Sequence, residues 1–139
     1  MTVSTNLIKI HSKGENDMID LTGEISNFIK KSGISNGTVT VFVSGSTGSV
    51  TTIEYEPGLI KDFPEMLNRI APRNLDYGHE HMWHDGNGHS HVKASLMGPS
   101  LTVPFIDGQP CLGTWQQIIF VELDTRSRTR NLILQILGE

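Results

Sequence analysis

Residues Gly37–Val43 read GTVTVFV, Ser44–Ser49 read SGSTGS and Val50–Tyr55 read VTTIEY. The first run is β-branched and aromatic and follows an Asn-Gly pair, which marks a strand with a defined start. The second run is small and hydroxyl-rich and breaks the pattern. The third resumes as a strand and carries Glu54 close to its end. Between them, Ser44–Ser49 is either an ordinary turn or a loop whose backbone N–H groups cradle an anion. It lacks the lysine and the following helix of a P-loop.

The flanks add helices without regular alternation. Val3–His11 alternates loosely as a strand, and Ser12–Asp17 is a turn. Over Met18–Lys31 the spacing of Ile19, Ile25, Phe28 and Ile29 predicts a helix, with Asp17 as N-cap and Gly33 as the stop. Glu56–Ile70 has an apolar face at helical spacing and Pro57 in its first turn. Pro64 predicts a kink near Asp62–Phe63 and a fresh helix start. Ser90–Met97, ended by Gly98-Pro99, reads as a short helix capped by Ser90, or else as a strand. Ser100–Ile106 is a strand pushed towards an edge by Pro104, and Asp107-Gly108 signals a hairpin. Leu112–Leu123 is expected to be the longest strand, and Asn131–Leu137 closes the chain as another. The fold class is therefore α+β: a single domain over residues 1–139, with a largely antiparallel sheet and two or three helices.

Composition narrows the function. One domain is the natural reading of 139 residues, and a net charge of −4 excludes a generally basic nucleic-acid binder. The single cysteine, Cys111, allows neither an internal disulfide nor a cysteine-based zinc site, which suits a reducing compartment. Its neighbours read as the start of a strand, so a small buried or half-buried residue is expected there rather than a nucleophile. No signal region and no membrane-length apolar stretch is read, so the expected location is the cytoplasm.

The chemistry concentrates in Tyr77–His91, YGHEHMWHDGNGHSH, which holds five of the six histidines. Asp76, Glu80 and Asp85 lie among them. Imidazoles with carboxylates nearby suit zinc or another first-row divalent ion. A solvated loop would have the same composition, and the spacing matches neither H-E-x-x-H nor paired C-x-x-C. Arg126, Arg128 and Arg130 alternate near the C-terminus. They form either a basic comb for phosphate or a solvated hairpin, and the hairpin is the favoured expectation.

Several stretches together resemble the YjbQ family. They are His91–Pro104 (HVKASLMGPSLTVP), Asp107-Gly108, Leu112–Gln116 (LGTWQ) and the closing Leu137-Gly138-Glu139. The resemblance runs over nearly the whole chain. It implies a sandwich-like α+β fold, a homotrimer with sites near subunit boundaries, and a histidine metal site usually assigned to zinc. It also implies an activity labelled secondary thiamine-phosphate synthase, which joins a pyrimidine diphosphate to a thiazole phosphate and releases pyrophosphate. Tyr77-Gly78-His79 matches the family's Tyr-x-His, Asn87 and His91 match its Asn and following His, and Glu54 matches its acidic residue after the hydroxyl-rich loop. One position departs: where the family commonly has His-Thr-Thr or His-Ser-Thr, this chain has Gly45-Ser46-Thr47.

With that imidazole missing, the metal ligands expected on the resemblance are His79, His89 and His91, with His81 and His84 as alternatives to His89. Three protein ligands and a water would be the open arrangement of a catalytic zinc. Asp85 or Glu54 would orient an imidazole or act as general base. Ser46, Thr47, Asn87, Lys93, Trp115 and Gln116 are the expected contacts to a small phosphorylated substrate, although Trp115 could equally be core. The competing reading is a non-catalytic homotrimer that binds a metal or a phosphate ligand. No nucleic-acid or membrane partner is expected.

Overall fold

The computed structural model describes residues 1–139. In chain order the elements are β1 (Thr2–His11), β2 (Met18–Asp20), α1 (Thr22–Ser32), β3 (Gly37–Val43), β4 (Gly48–Ile53), α2 (Pro57–Ile70), α3 (Gly78–Trp83), α4 (Gly88–Met97), β5 (Ser100–Ile106), β6 (Gln109–Pro110), β7 (Gln117–Glu122) and β8 (Thr129–Gly138). Two wholly antiparallel sheets form, one in the order β1-β8-β3-β5-β6 and one in the order β2-β7-β4.

Strand periodicity decides which side chains face which layer. Val39, Val41 and Val43 of β3 point inward with Leu132, Leu134 and Ile136 of β8. They meet Ile118 and Phe120 of β7 and Ile25 and Ile29 of α1 in the main core. The alternate residues of β7, Ile119 and Val121, face the other way and pack with Leu67 of α2 and Ala94 of α4. The three-stranded sheet is thus buried on both faces, which is why β7 reads as the unbroken apolar run IIFV. Where β3 crosses β8, Gly37 pairs with Gly138, and a Cβ on either would strike a facing backbone carbonyl. No helix is long and apolar enough to cross a membrane.

The α+β class, the single domain and the sandwich-like sheets agree with the sequence reading. Several boundaries do not. Met18–Asp20 is not the start of a helix but a three-residue strand paired with β7. Asp17 accordingly does not cap α1; its Oδ2 accepts the Lys13 N–H at 2.8 Å, and Asp20 Oδ1 accepts the Thr22 N–H at 3.0 Å. Helix α4 begins at Gly88, with Asn87 rather than Ser90 at its cap position. There are four helices, because Gly78–Trp83 turns helical within the histidine stretch. Cys111–Gln116 stays outside the strands, with Cys111 exposed rather than buried, so the longest strands are β1 and β8 at 10 residues each.

Helix α2 runs through Pro64 without a restart. Its N-cap is strong, since the Glu56 carboxylate accepts the N–H groups of Gly58 and Leu59 at 2.8 and 2.6 Å. Burial of Ile60, Phe63 and Leu67 against the three-stranded sheet holds the remaining turns. Tertiary packing therefore overrides a local penalty of about 3 kcal/mol for an interior proline. Pro64→Ala should raise stability by about 1 kcal/mol or more, after the unfolded chain's regained freedom is deducted. A higher urea midpoint at unchanged slope would show it, and an unchanged or lower midpoint would contradict it.

Candidate active site

The floor of the site is two ion pairs, each made on a buried carboxylate. Arg130 is the second residue of β8 and shares the inward face with Leu132 and Leu134, so strand parity drives its guanidinium into the interior. There it meets Glu122, the last residue of β7. Nε donates to Oε1 at 3.0 Å and Nη2 donates to Oε2. Nη2 also donates to Thr47 Oγ1 at 2.8 Å. Two residues further along each strand end, Arg128 grips Asp124, with Nε and Nη2 on Oδ2 at 2.9 and 2.6 Å. Thr47 Oγ1 donates to the same oxygen at 3.1 Å. Burial pushes the Asp124 carboxyl up, but the Thr125 N–H and the hydrogen bonds from Arg128 and Thr47 outweigh it and hold the group at about 2. The solvated-hairpin expectation for this arginine run is thus corrected: two of its three arginines are committed to buried carboxylates.

The wall comes from the histidine stretch. Glu80 on α3 folds back onto the next loop, accepting the Gly86 N–H at 2.6 Å and the Gly88 N–H at 2.7 Å. A Cβ at Gly88 would lie 2.7 Å from Tyr77 Cβ, so only glycine lets α4 begin this close to α3. The turn places Asp85 Oδ1 3.0 Å from His79 Nε2. It also brings the His91 ring to 4.5 Å from the His79 ring, centroid to centroid. One polar atom of the Asn87 carboxamide sits 2.7 Å from Asp85 Oδ1 and 2.9 Å from His79 Nε2.

Floor and wall enclose a cleft of about 430 Å³ with no apolar side chain in its lining. The Ser44–Thr47 loop forms one side, Asp85, Asn87 and His91 another, and Arg128–Asn131 the base. Of the residues expected from sequence, the cleft gathers Ser46, Thr47, Asp85, Asn87 and His91, with His79 joined through Asp85.

The others lie elsewhere, for geometric reasons. His89 and His91 are two residues apart on α4, about 200° around the helix. His91 therefore faces the cleft, while His89 turns inward and contacts Glu15 Oε1 at 2.6 Å through Nε2. His89 does not share a ligand position with His79 and His91. Lys93, one helical turn beyond His89, is equally buried and donates to Asn68 Oδ1 at 2.9 Å, so it does not contact the cleft. Burial lowers its ammonium's pKa, with Glu15 opposing the shift. His81 pairs with Asp76 on the surface. Glu54, Trp115 and Gln116 line a separate hollow at the far end of β4. Strand rise puts it roughly 20 Å from Thr47, so within one chain they do not join the site. Trp115 is 72% exposed and is not a core residue.

Sequence reasoning missed Glu122 and Asp124 beneath the cleft, misjudged Arg128 and Arg130 as a solvated hairpin, and marked Gly45 only for the imidazole it lacks. A signal was present: Glu122 and Arg130 are charges inside otherwise apolar strand patterns, and each calls for a partner.

The nitrogen and oxygen donors here suit a divalent metal. Ligand atoms of His79, Glu80 and Asp85 lie within 4.8 Å of one another. Glu80 is already committed to two backbone N–H groups. That leaves His79, Asp85 and Asn87, with His91 alongside, as the candidate set. If the Asn87 carboxamide turns its nitrogen inward, it donates to Asp85 and His79; if it turns its oxygen inward, three acceptors converge, as around a cation.

The family model described as UPF0047 protein YjbQ-like matches residues 6–139. A UPF0047 protein of Methanothermobacter thermautotrophicus is 37% identical over 139 residues, covering all of this chain and 95% of that protein. The UPF0047 protein YugU of Bacillus subtilis is 32% identical over 134 residues, covering 94% of this chain and 97% of YugU. Among solved structures, a YbjQ-like protein of unknown function from Sulfolobus solfataricus P2 superposes with a TM-score of 0.89 at 30% identity, covering 99% of this chain and 100% of that one.

The Asp124 carboxyl makes a prediction on stability. Its pKa is depressed on folding, so its contribution is present above the ordinary value of 3.8 and is lost as pH falls through about 2. Asp124→Asn should lower the urea midpoint at neutral pH and flatten its decline between about pH 4 and 2 relative to the parent. Parallel declines in the two proteins would refute this.

Proposed function

The chain belongs to the UPF0047, YjbQ-like family, and from that premise we propose a metal-dependent enzyme acting on a small phosphorylated substrate. The observation that carries this reading is the pairing of two half-sites in one polar cleft. On one wall His79 and Asp85 present a ring nitrogen and a carboxylate oxygen within reach of a shared cation, and Arg128 and Arg130 lie at the base. Departing phosphate or pyrophosphate needs its developing charge met by fixed donors, which this cleft supplies.

A divalent ion, with zinc as the expected metal, would be held by His79, Asp85 and Asn87 with His91 beside them, and would supply charge neutralisation at a phosphate oxygen. The chain's own groups do the rest. Without the ion, Asp85 Oδ1 holds the His79 ring in place through Nε2. His91 faces the cleft, where it can hold or release a proton at a phosphate oxygen. The Ser44 and Ser46 hydroxyls and the Arg128 guanidinium orient the anion. The reaction that fits the family resemblance is thiamine-phosphate-synthase-like. The methylene C–O bond of a pyrimidine diphosphate breaks, pyrophosphate leaves with the bonding pair, and the lone pair of a thiazole nitrogen forms the new C–N bond, leaving that nitrogen cationic.

We place the enzyme in the cytoplasm as a homotrimer. Its single cysteine suits a reducing compartment. Self-association is supported by the outward face of the five-stranded sheet. On it, the row Leu7, Ile133, Phe42 and Ser100 and the row Val3, Leu137, Thr38 and Pro104 flank a polar row in which Thr5 pairs with Gln135 and Thr40 with Thr102. Among the outward side chains of β1, β8, β3 and β5, Lys9 and His11 are the only ionisable ones. Strand spacings give this face a footprint on the order of 600 Å², close to the roughly 800 Å² per partner of a standard interface. A second copy of the chain is its natural cover.

Two experiments test these points. Plasma mass spectrometry on untagged protein should find about one divalent ion per chain, lost in His79→Ala and His91→Ala, with pyrophosphate release from the pyrimidine diphosphate and thiazole phosphate lost in parallel. Metal without turnover on phosphate esters or diphosphates would favour the binding reading, and absence of metal after incubation with zinc would end the metalloenzyme reading. In sedimentation velocity the parent should run as a trimer, and Leu7→Asp with Leu137→Asp should shift it to monomer. A parent that sediments as a monomer would refute the assembly.

A further inference from the structure

We propose that Arg130 Nη1, lying over Gly45, is the seat for one phosphoryl group, and that glycine at position 45 is what keeps that seat open. The inference rests on the phosphorylated-ligand reading of the same cleft and names the atom that reads the ligand.

Arg130 is 7% exposed, and most of its donors are consumed within the chain. Nε and Nη2 are taken by Glu122 and Thr47. Nη1 makes no hydrogen bond within the chain, although the residue lines the cleft. Leaving two N–H groups of a charged, nearly buried guanidinium unanswered is unfavourable unless solvent or a ligand meets them. Arg128 repeats the arrangement, with Nε and Nη2 clamped by Asp124 and Nη1 free at the same cleft. Two guanidinium groups, each locked in plane by a carboxylate, thus present their remaining nitrogen to one polar space. A tetrahedral, multiply charged oxyanion offers enough acceptor oxygens to answer both.

Gly45 sets access to that space. A Cβ there would lie 2.9 Å from Arg130 Nη1. The guanidinium cannot swing aside without giving up Glu122, so any side chain at 45 would cover or displace the nitrogen. Gly45 is exposed and does not need a left-handed backbone, so steric freedom at the seat accounts for the glycine better than turn geometry does. On the resemblance, which puts a histidine at this position, the glycine leaves Arg130 Nη1 open where an imidazole would stand.

The test is calorimetric titration of the parent and of Gly45→Ala with inorganic phosphate and with pyrophosphate. The parent should bind one pyrophosphate saturably. Gly45→Ala should bind it about tenfold more weakly or worse, the size expected for losing charged hydrogen bonds. In 15N-edited spectra of the parent, the Arg130 guanidinium signals should shift on phosphate addition, a readout that needs no variant. No pyrophosphate binding by the parent, undiminished binding by Gly45→Ala, or static Arg130 signals would each overturn the proposal. Phosphate binding lost in Gly45→Ala but without metal or turnover in the parent would leave the seat standing while the enzyme reading fails. Turnover in Gly45→Ala at the parent's KM would do the reverse.

Discussion

The ion pair between Glu122 and Arg130 is the constraint on which the rest depends. It joins the last residue of β7, in the three-stranded sheet, to the second residue of β8, in the five-stranded sheet, at the end of the sandwich where the cleft opens. Burying two charges is unfavourable unless every polar atom finds a partner. Here they do so on the carboxylate side: Ser12 Oγ donates to Glu122 Oε1 at 2.7 Å and the Asp124 N–H donates to Oε2 at 3.2 Å. Through Thr47 the pair also holds the loop after β3. A pair of apolar residues could close the same gap with less desolvation. It could not set a guanidinium plane, and the plane is what aims Nη1 at the cleft.

The histidine stretch is ordered by a similar division of labour. Five imidazoles within fifteen residues suggest a many-ligand centre, yet helical periodicity sorts them. On α4, His89 and Lys93 lie on one face and are buried against Glu15 and Asn68, while His91 lies on the other and faces the cleft. Arg73 pairs with the second oxygen of Glu15 at 3.3 Å, so the turn between β1 and β2 braces α4 from behind. The back face thus fixes where the front face points. His89 supports the site by positioning the helix, a role that proximity in sequence to His91 does not reveal.

What the sequence made legible follows from how local each signal is. Gly37–Val43 and Ser100–Ile106 were readable to the residue, because β-branched alternation ends at glycine or proline signals within the same few residues. Gly33 and Gly98 were readable as helix stops for the same reason. Met18–Asp20 was not, because three residues carry no period and their strand character comes from β7, about a hundred positions away. The site split likewise. Asp85, Asn87, His79 and His91 stand within one stretch, and the fold keeps them together. Arg130 was seen but misjudged, since its partner Glu122 belongs to another sheet and only the fold brings them together.

The two half-sites also depend on each other electrostatically. Arg128 and Arg130 are each matched by a carboxylate, so the base of the cleft offers hydrogen-bond donors but little net positive charge, and the chain as a whole carries −4. Donor geometry alone selects a tetrahedral oxyanion; it does not neutralise a dianion or a trianion. The opposite wall adds Asp85, which repels an anion until its own charge is met. On the proposed reading a cation beside His79 and Asp85 removes that repulsion and supplies the missing positive charge. Linkage then requires that anion and cation each raise the affinity for the other by the same factor. On that reading neither half is complete alone, which suits a site whose ligand arrives as a phosphate with its counter-ion.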